Sequence, residues 1–456
     1  MIQVDSRKVK KGDTFVAIKG LYVDGHDYIE KAILAGASQI IAEYGEYSVP
    51  TIIVKDTREY LAKYLKEQYR EQLSKIKFIG ITGTNGKTTS CYLIYQALNK
   101  LNIKAAYIGT IGFYVDGKVK DLDNTTPDLV DLYEMFDYCI KNDVKVIAME
   151  VSSHALSLGR VMGIEFDYAA FTNLTQDHLD FHGSLENYEQ AKLILFKNLR
   201  NDKVAVINSD DEYYKDFCLK ENNNILYGLN DLADYRITKY SLHIDSVEFS
   251  FQYQNKEYDV KLNIPGKYNI YNYMNLLIIL NKMGYSLGEI IKLSSTLKAP
   301  SGRFETLRYK DSVIIIDYAH TPDAVLNILD NVLEYKKGKV ITIIGCGGDR
   351  DKTKRPIMGE IATSKSDFVI FTDDNPRTED NHLIMNDIVS GVRKENYIIE
   401  HDRKKAIFEG FKMLKKDDIL LILGKGHENY QIINHDKIHF SDLETAQEFI
   451  DTFSKN

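Results

Sequence analysis

The sequence predicts an α/β protein built as three domains. Three observations carry that expectation. Short apolar runs alternate with helix-length patterns almost throughout, a glycine-rich loop separates an apolar strand from a helix near residue 83, and one stretch after Leu242 changes to two-residue alternation. At 456 residues the chain exceeds one ordinary core, since a domain takes roughly 100–200 residues.

The first unit, residues 1–74, has candidate strands at Thr14 to Ile18, Gln39 to Glu43 and Thr51 to Val54. A helix from His26 to Ala35 ends at Gly36, and the charged stretch Glu59 to Lys77 reads as a helix plus linker with a boundary near Ser74. The second unit, 75–302, opens with the apolar run Phe78 to Ile81, followed by the loop and a helix from Lys87. Further strands are expected at Lys145 to Val151, Ala169 to Leu174 and Val204 to Asn208. The alternation from Leu242 to Ile264 suggests a local antiparallel insertion, and helical patterns resume at Tyr268. The third unit, 303–456, has runs at Val313 to Ile316, Val340 to Ile344, Phe368 to Thr372 and Ile419 to Leu423, each followed by a helix-like stretch. That rhythm predicts a doubly wound, dinucleotide-fold-like domain.

The hydrophobic share of 44% and charged share of 27% are those of a soluble globular protein, and a net charge of -8 makes nucleic acid an unsuitable ligand. Cys91, Cys139, Cys218 and Cys346 are scattered without a CxxC pair, which argues against a zinc site or disulfide framework. The residues Met1 to Arg7 lack the layout of a signal peptide, and no apolar run approaches the ~20 residues of a membrane span. A cytoplasmic, monomeric protein without a membrane partner is expected.

The strongest local signal is Gly83-Thr84-Asn85-Gly86-Lys87-Thr88-Thr89 between strand and helix. Glycines let backbone N–H groups turn inward around phosphates; Lys87 would neutralise them, and Thr88 would offer a hydroxyl to Mg²⁺. The strict motif wants glycine at position 81, where Ile81 stands, so the central sheet is of P-loop type with a variant loop. Glu150 closes an apolar strand in Met149-Glu150-Val151-Ser152-Ser153-His154. An acid there is usually a cap or a solvated loop residue, but beside a phosphate loop it becomes a metal ligand candidate. Asp177, His178, Asp180 and His182 fall within six residues after another strand, and Lys192 lies in a helical run. On their own these read as loop structure and a solvated lysine.

Taken in order, GTNGKTT, EVSSHAL with Arg160, FTNLTQDHLDFHG, GKYNIYN, SGRFE, DYAHTPDA, GCGGDRDKTKRP, DNPR and GKGHENYQ resemble the Mur ligases. The resemblance runs from Asp5 to about Glu444. GGDRD…KRP with DNPR marks the branch that adds a diamino acid to the UDP-linked muramoyl dipeptide. It implies ATP bound by Gly83 to Thr89, with Asn269 and Asn272 toward adenine and Arg303 and Asp317 contributed by the third domain. It implies Mg²⁺ on Thr88 and Glu150, a second ion near His178, and a CO₂-derived carbamate on Lys192. An ammonium between two divalent cations would be repelled, whereas a carbamate is an anion. Val4, Ser6, Asn124, Thr125, Thr126, Ser152 and Arg160 match positions that hold the UDP-sugar-dipeptide.

The diamino acid is implied to rest on Arg350, Asp374, Asn375, Pro376, Arg377, Gly424 and Glu428. Arg377 could pair bidentately with a distal carboxylate and Glu428 could accept from a distal ammonium, which favours diaminopimelate over lysine. Two places depart from the family. Gly20-Leu21-Tyr22-Val23 lacks polar side chains near the uracil, and Leu158 stands where some members carry glutamine. The alternatives are a folylpolyglutamate synthetase, a sister ligase adding another amino acid or dipeptide, and a catalytically silent relative. The DNPR stretch speaks against the first two; intact Lys87, Glu150, His178 and Lys192 speak against the third.

Overall fold

The computed structural model describes residues 2–20 and 23–453. Leu21 and Tyr22 of the uracil-side stretch lie outside the described residues. Among those described, the strands form sheets of four, eleven and six strands and a two-stranded hairpin. No described helix is long and apolar enough to cross a membrane.

In the first sheet Ile2–Gln3, Thr14–Val16, Gln39–Ala42 and Thr51–Ile53 lie side by side, all parallel. The helix expected from His26 is split: a 3-10 turn at Gly25–Tyr28, capped by Asp24, runs into Ile29–Leu34, and Gly36 at φ +107° turns the chain away. Helix plus linker becomes one helix, Thr57–Leu73, because the Asp56 side chain accepts from the Glu59 N–H and starts it early. Its Leu61, Ala62 and Leu65 share a core with Phe78, Leu129 and Phe136 of the central unit. Tyr69 meets Tyr133 with ring centroids 5.4 Å apart.

The central sheet runs, edge to edge, Lys256–Leu262, Val247–Tyr253, Tyr235–Leu242, Asn223–Gly228, Leu199–Asn208, Phe166–Phe171, Lys77–Thr82, Val146–Glu150, Ala105–Gly109, Gly112–Val115 and Lys118–Lys120. From Tyr235–Leu242 to Ala105–Gly109 neighbours pair parallel, and beyond them both flanks turn antiparallel. The alternating stretch near Leu242 is therefore an extension of the main sheet, not a separate insertion. Phe78 enters the core with helices Leu129–Lys141 and Leu185–Lys197, while Ile79 and Ile81 enter the opposite core with Lys87–Lys100 and Lys267–Lys282. Burial on both faces explains the unbroken apolar run that marks this strand in the sequence. The strand expected at Ala169 to Leu174 begins and ends three residues earlier, at Phe166–Phe171.

The third sheet is ordered Glu305–Tyr309, Ser312–Asp317, Ile419–Leu423, Val340–Ile344, Phe368–Phe371, Tyr397–Ile399, antiparallel at the first pair and parallel after it. Helices Pro322–Tyr335, Lys354–Lys365 and Asn381–Val389 cover one face, and Arg403–Met413 and Asp442–Phe453 the other. The last strand inserts between two earlier ones, so Asp317, Gly345 and Gly424 emerge at adjacent carboxyl ends, where ligands of such sheets bind.

Arg403 and Asp442, both 0% exposed, lock the last helix against this sheet. Arg403 Nε donates to Asp442 Oδ1 at 2.7 Å, and Nη2 donates to Oδ2 at 2.8 Å and to the Leu423 carbonyl at 2.9 Å. Replacing Asp442 by alanine strands a buried guanidinium. We expect a loss of about 3–5 kcal/mol in the stability of this unit, read as a lowered midpoint in denaturant unfolding followed by circular dichroism.

Candidate active site

Strand Lys77–Thr82 delivers the chain to Gly83 at φ +146°, and Gly86 at φ +88° starts the helix at Lys87. A Cβ on Gly83 would lie 1.8 Å from Thr172 Oγ1. The loop is moulded by the turn that follows the neighbouring strand. Thr84 N–H donates to the Asn173 carbonyl at 2.8 Å and Asn85 N–H to Asn173 Oδ1 at 2.9 Å, while Thr172 Oγ1 donates to the Asn85 carbonyl at 2.6 Å. Lys87 Nζ curls back to donate to the carbonyls of Gly83 and Thr84, both at 2.8 Å. Burial pushes its ammonium below the usual lysine range, against the pull of Glu150 and Asp177.

Glu150, fully buried, is held by four bonds. Its Oε2 accepts from Thr88 Oγ1 at 2.9 Å and Thr110 Oγ1 at 3.2 Å; its Oε1 accepts from the Tyr107 hydroxyl at 2.5 Å and the Thr110 N–H at 2.9 Å. The residues matched to the UDP-sugar-dipeptide gather beside it. Thr126 Oγ1 donates to the Glu150 carbonyl at 2.9 Å and accepts the Ser152 N–H at 3.0 Å, Arg160 Nη1 donates to the Thr126 carbonyl at 3.2 Å, and Thr125 Oγ1 lies 3.0 Å from Thr110 Oγ1. Asn124 is exposed on the same loop. Val4 leans on the central core, and Ser6 is half-buried without a side-chain hydrogen bond among the described residues. These three are not tied into the cluster.

His178 sits at φ +54° at the start of helix Leu179–His182, with its Nε2 3.4 Å from Asp177 Oδ2. His154 stands edge-on to it, ring centroids 4.6 Å apart. Desolvation, with His154, Lys87 and Lys192 nearby, pushes His178 down to about 3, leaving a neutral imidazole with a lone pair to give. Lys192 is 1% exposed on helix Leu185–Lys197. Its Nζ lies 4.0 Å from the centre of the Tyr188 ring and makes no hydrogen bond or ion pair among the described residues. Burial, then the neighbouring Lys87, pushes its amine well below the usual lysine range.

Between helices Lys267–Lys282 and Pro322–Tyr335 lies a cavity of about 750 Å³, within the range of nucleotide-sized ligand sites. Gly86, Thr89, Asn272, Arg303 and Asp317 line it. Asn269 stands behind Asn272, accepting its Nδ2–H at 2.9 Å. Arg303 Nη2 donates to Thr88 Oγ1 at 3.3 Å, and its guanidinium lies 4.6 Å from the Tyr318 ring centre. Asp317 accepts the N–H groups of Phe304 and Ala319 at 2.7 and 2.8 Å, while burial pushes its carboxyl upward. Asn85 Nδ2 donates to Asp323 Oδ2 at 3.0 Å, and Lys354 Nζ lies 3.7 Å from Asp177 Oδ1. The third sheet's helices thus reach both the phosphate loop and the His178 turn.

A cluster of side chains with charges of both signs forms at the carboxyl ends of the third sheet. Arg377, a non-glycine residue at φ +55°, donates through Nη1 to the Gly348 carbonyl at 2.7 Å. The Pro376 carbonyl packs so closely on Gly348 that a Cβ there would lie 1.9 Å away. Asn375 Nδ2 donates to Glu428 Oε2 at 2.9 Å, and Asp374 Oδ2 would lie 2.7 Å from a Cβ on Gly424. Arg350 is exposed at the rim, donating to the Asp349 carbonyl at 2.9 Å.

Matches to known domains span this architecture: the Mur ligase family catalytic domain over residues 1–69, the Mur ligase middle domain over 81–280, and the Mur ligase glutamate ligase domain over 302–426. The chain belongs to the Mur ligase family. Relatives include the UDP-N-acetylmuramoyl-L-alanyl-D-glutamate–2,6-diaminopimelate ligases of Clostridium botulinum, 43% identical over 98% of this chain and 94% of the relative, and of Fusobacterium nucleatum, 44% identical over 98% and 93%. A solved structure titled as a ligase of the same name superimposes with a TM-score of 0.72 at 31% identity, covering 99% of this chain and 95% of that one.

For this Mur ligase, reading the sequence missed Tyr107 and Thr110, which fasten Glu150, and Lys354 and Asp323, which join the third unit to the central one. Tyr107 lies in a strand of small residues distant in sequence from any motif, so nothing local marked it. Lys354 lies inside the quoted GCGGDRDKTKRP stretch, and its burial is a tertiary fact. Gly83→Ala forces the phosphate loop off Thr172. A displacement of that size is expected to lower kcat/KM on the order of 100-fold, measured as ATP-dependent phosphate release with folding checked by circular dichroism.

Proposed function

We propose that this Mur ligase is an ATP-dependent acid–amino-acid ligase that adds diaminopimelate to UDP-N-acetylmuramoyl-L-alanyl-D-glutamate in peptidoglycan synthesis. Domain limits of 1–74, 75–302 and 303–456 go with that reading. The observation that carries it is the mixed-charge cluster of Arg377, Asp374, Asn375 and Glu428 at the carboxyl ends of a unit whose helices reach the glycine loop through Asp323 and the His178 turn through Lys354. The named relatives support it. A folylpolyglutamate synthetase would leave that cluster and the N-terminal unit without a role.

ATP enters the cavity between the two larger units, its phosphates over the loop amides, Lys87 and Arg303. The Thr88 hydroxyl and Glu150 carboxylate, 2.9 Å apart, are the hard oxygen donors that suit Mg²⁺. Among the described residues no three His, Cys, Asp or Glu side chains form a cage, so phosphate oxygens and waters would complete the shell. Bound there, the ion would neutralise phosphate charge as the phosphoryl group moves. His178, neutral, fits a second ion. Lys192 fits a carbamate because CO₂ adds to a neutral amine, and burial shifts this one toward its uncharged form.

The γ-phosphoryl group moves to the D-glutamyl carboxylate of the UDP-sugar-dipeptide, which Val4, Ser6, Asn124, Thr125, Thr126, Ser152 and Arg160 would hold. Lys87 and the loop N–H groups stabilise the charge that develops. The neutral amine of the diamino acid then attacks the acyl phosphate, phosphate leaves and an amide forms. Arg377 and Arg350 would orient the carboxylates of that amino acid and Glu428 its distal ammonium.

Phosphate release with ATP, Mg²⁺ and the UDP-linked dipeptide tests the reading. Turnover is expected with diaminopimelate and little with lysine; no release with either amine would make the chain a silent relative or another ligase. Arg377→Lys is expected to raise KM for diaminopimelate by about tenfold or more, because a point charge cannot replace a planar fork. Lys192 is tested separately. In ¹³C-bicarbonate the wild-type protein should show one slowly exchanging carbamate resonance that Lys192→Ala lacks, and its presence in both would refute the assignment.

A further inference from the structure

The turn from Gly424 to Glu428 holds a lysine to which the diamino-acid reading gives no task. Lys425 has a fully buried side chain. Its Nζ donates to Asn375 Oδ1 at 3.1 Å and to Glu428 Oε2 at 3.1 Å. Asn375 closes the triangle: its Nδ2 donates to the same Glu428 oxygen at 2.9 Å, and its Oδ1 also accepts the Ile432 N–H at 2.9 Å. Burial and the Asp374 carboxylate push the Glu428 carboxyl upward, and Lys425 and Asn375 hold it back.

The cluster's charge balance depends on this lysine. With Arg403 spent on its Asp442 pair, the charges acting most on Arg377 and Glu428 besides each other are Arg350, Lys425 and Asp374, so three cations stand against two anions. An amino acid that attacks through a neutral amine while carrying two carboxylates and one ammonium has a net negative charge; one with a single carboxylate and an ammonium has none. Without Lys425 the cluster would match the second.

We propose that Lys425 is a specificity-determining positioning residue, which holds Glu428 for the distal ammonium and supplies the positive charge favouring a dicarboxylic over a monocarboxylic diamino acid. The inference rests on the ligase reading above. The test compares wild type, Lys425→Met, Lys425→Gln, Glu428→Gln and the Lys425→Met/Glu428→Gln pair in phosphate release, with KM taken separately for ATP, UDP-linked dipeptide, diaminopimelate and lysine.

Lys425→Met is expected to raise KM for diaminopimelate at least about tenfold while the other two substrates stay within twofold, and to narrow the preference over lysine. Lys425→Gln keeps a donor without the charge, should do the same, and serves if the methionine variant folds poorly. Adding Lys425→Met to Glu428→Gln should cost much less than adding it to wild type, because its main partner is gone. Equal losses in both backgrounds, equal shifts for all three substrates, or an unchanged KM would overturn the proposal. Absence of amine-dependent turnover in the wild type would overturn the ligase reading and this inference with it; normal wild-type turnover without the KM shift would overturn this inference alone.

Discussion

The close approach of Gly83 to Thr172 sets the shape on which the site depends. The next strand's turn fixes the loop by taking the Thr84 and Asn85 amides onto Asn173 and returning a hydroxyl bond from Thr172, which leaves the N–H groups at the start of the helix from Lys87 as the ones to face phosphates. With the loop fixed, Lys87 can fold back over it and Thr88 can meet Glu150. The strand Phe166–Phe171 therefore stops short: Thr172 keeps a last N–H bond to the Thr82 carbonyl while its hydroxyl, and Asn173 beyond it, serve the loop.

Parallel sheets put that arrangement within reach of the third unit. In both larger sheets the residues of the site emerge at carboxyl ends: Gly83, Glu150 and Thr172 from one, Asp317, Gly345 and Gly424 from the other. Arg303, Asp323 and Lys354 cross between them as single polar contacts. Such contacts carry little energy individually, yet they align the cavity beside the glycine loop with the mixed-charge cluster, an alignment that the proposed two-step acyl transfer would use.

How much was legible in the sequence follows from burial. Val340–Ile344 and Ile419–Leu423 could be read to the residue because both faces of those strands are buried and the apolar run is unbroken. Tyr397–Ile399 was missed because it is a half-exposed edge, and Ala105–Gly109 because Ala-Ala-Tyr-Ile-Gly carries little strand character. In the site, the glycine loop and the acid at a strand end announce their chemistry locally. Tyr107 and Lys425 do not: a tyrosine in a strand and a lysine between glycines look ordinary until the fold removes them from water.

The two flanking units are attached to the central one by different physics. Helix Thr57–Leu73 contributes Leu61, Ala62 and Leu65 to a core shared with the central sheet, whereas among the described residues only Ile244 and Tyr268 of the central unit pack against the apolar core of the third. Pulling the first unit away would wet a large apolar surface and so carry a sizeable positive heat-capacity change; swinging the third would carry a small one. Moving the third unit against the central one would instead break polar contacts such as Arg303 to Thr88 and Asn85 to Asp323, so its cost should respond to ionic strength far more than that of moving the first.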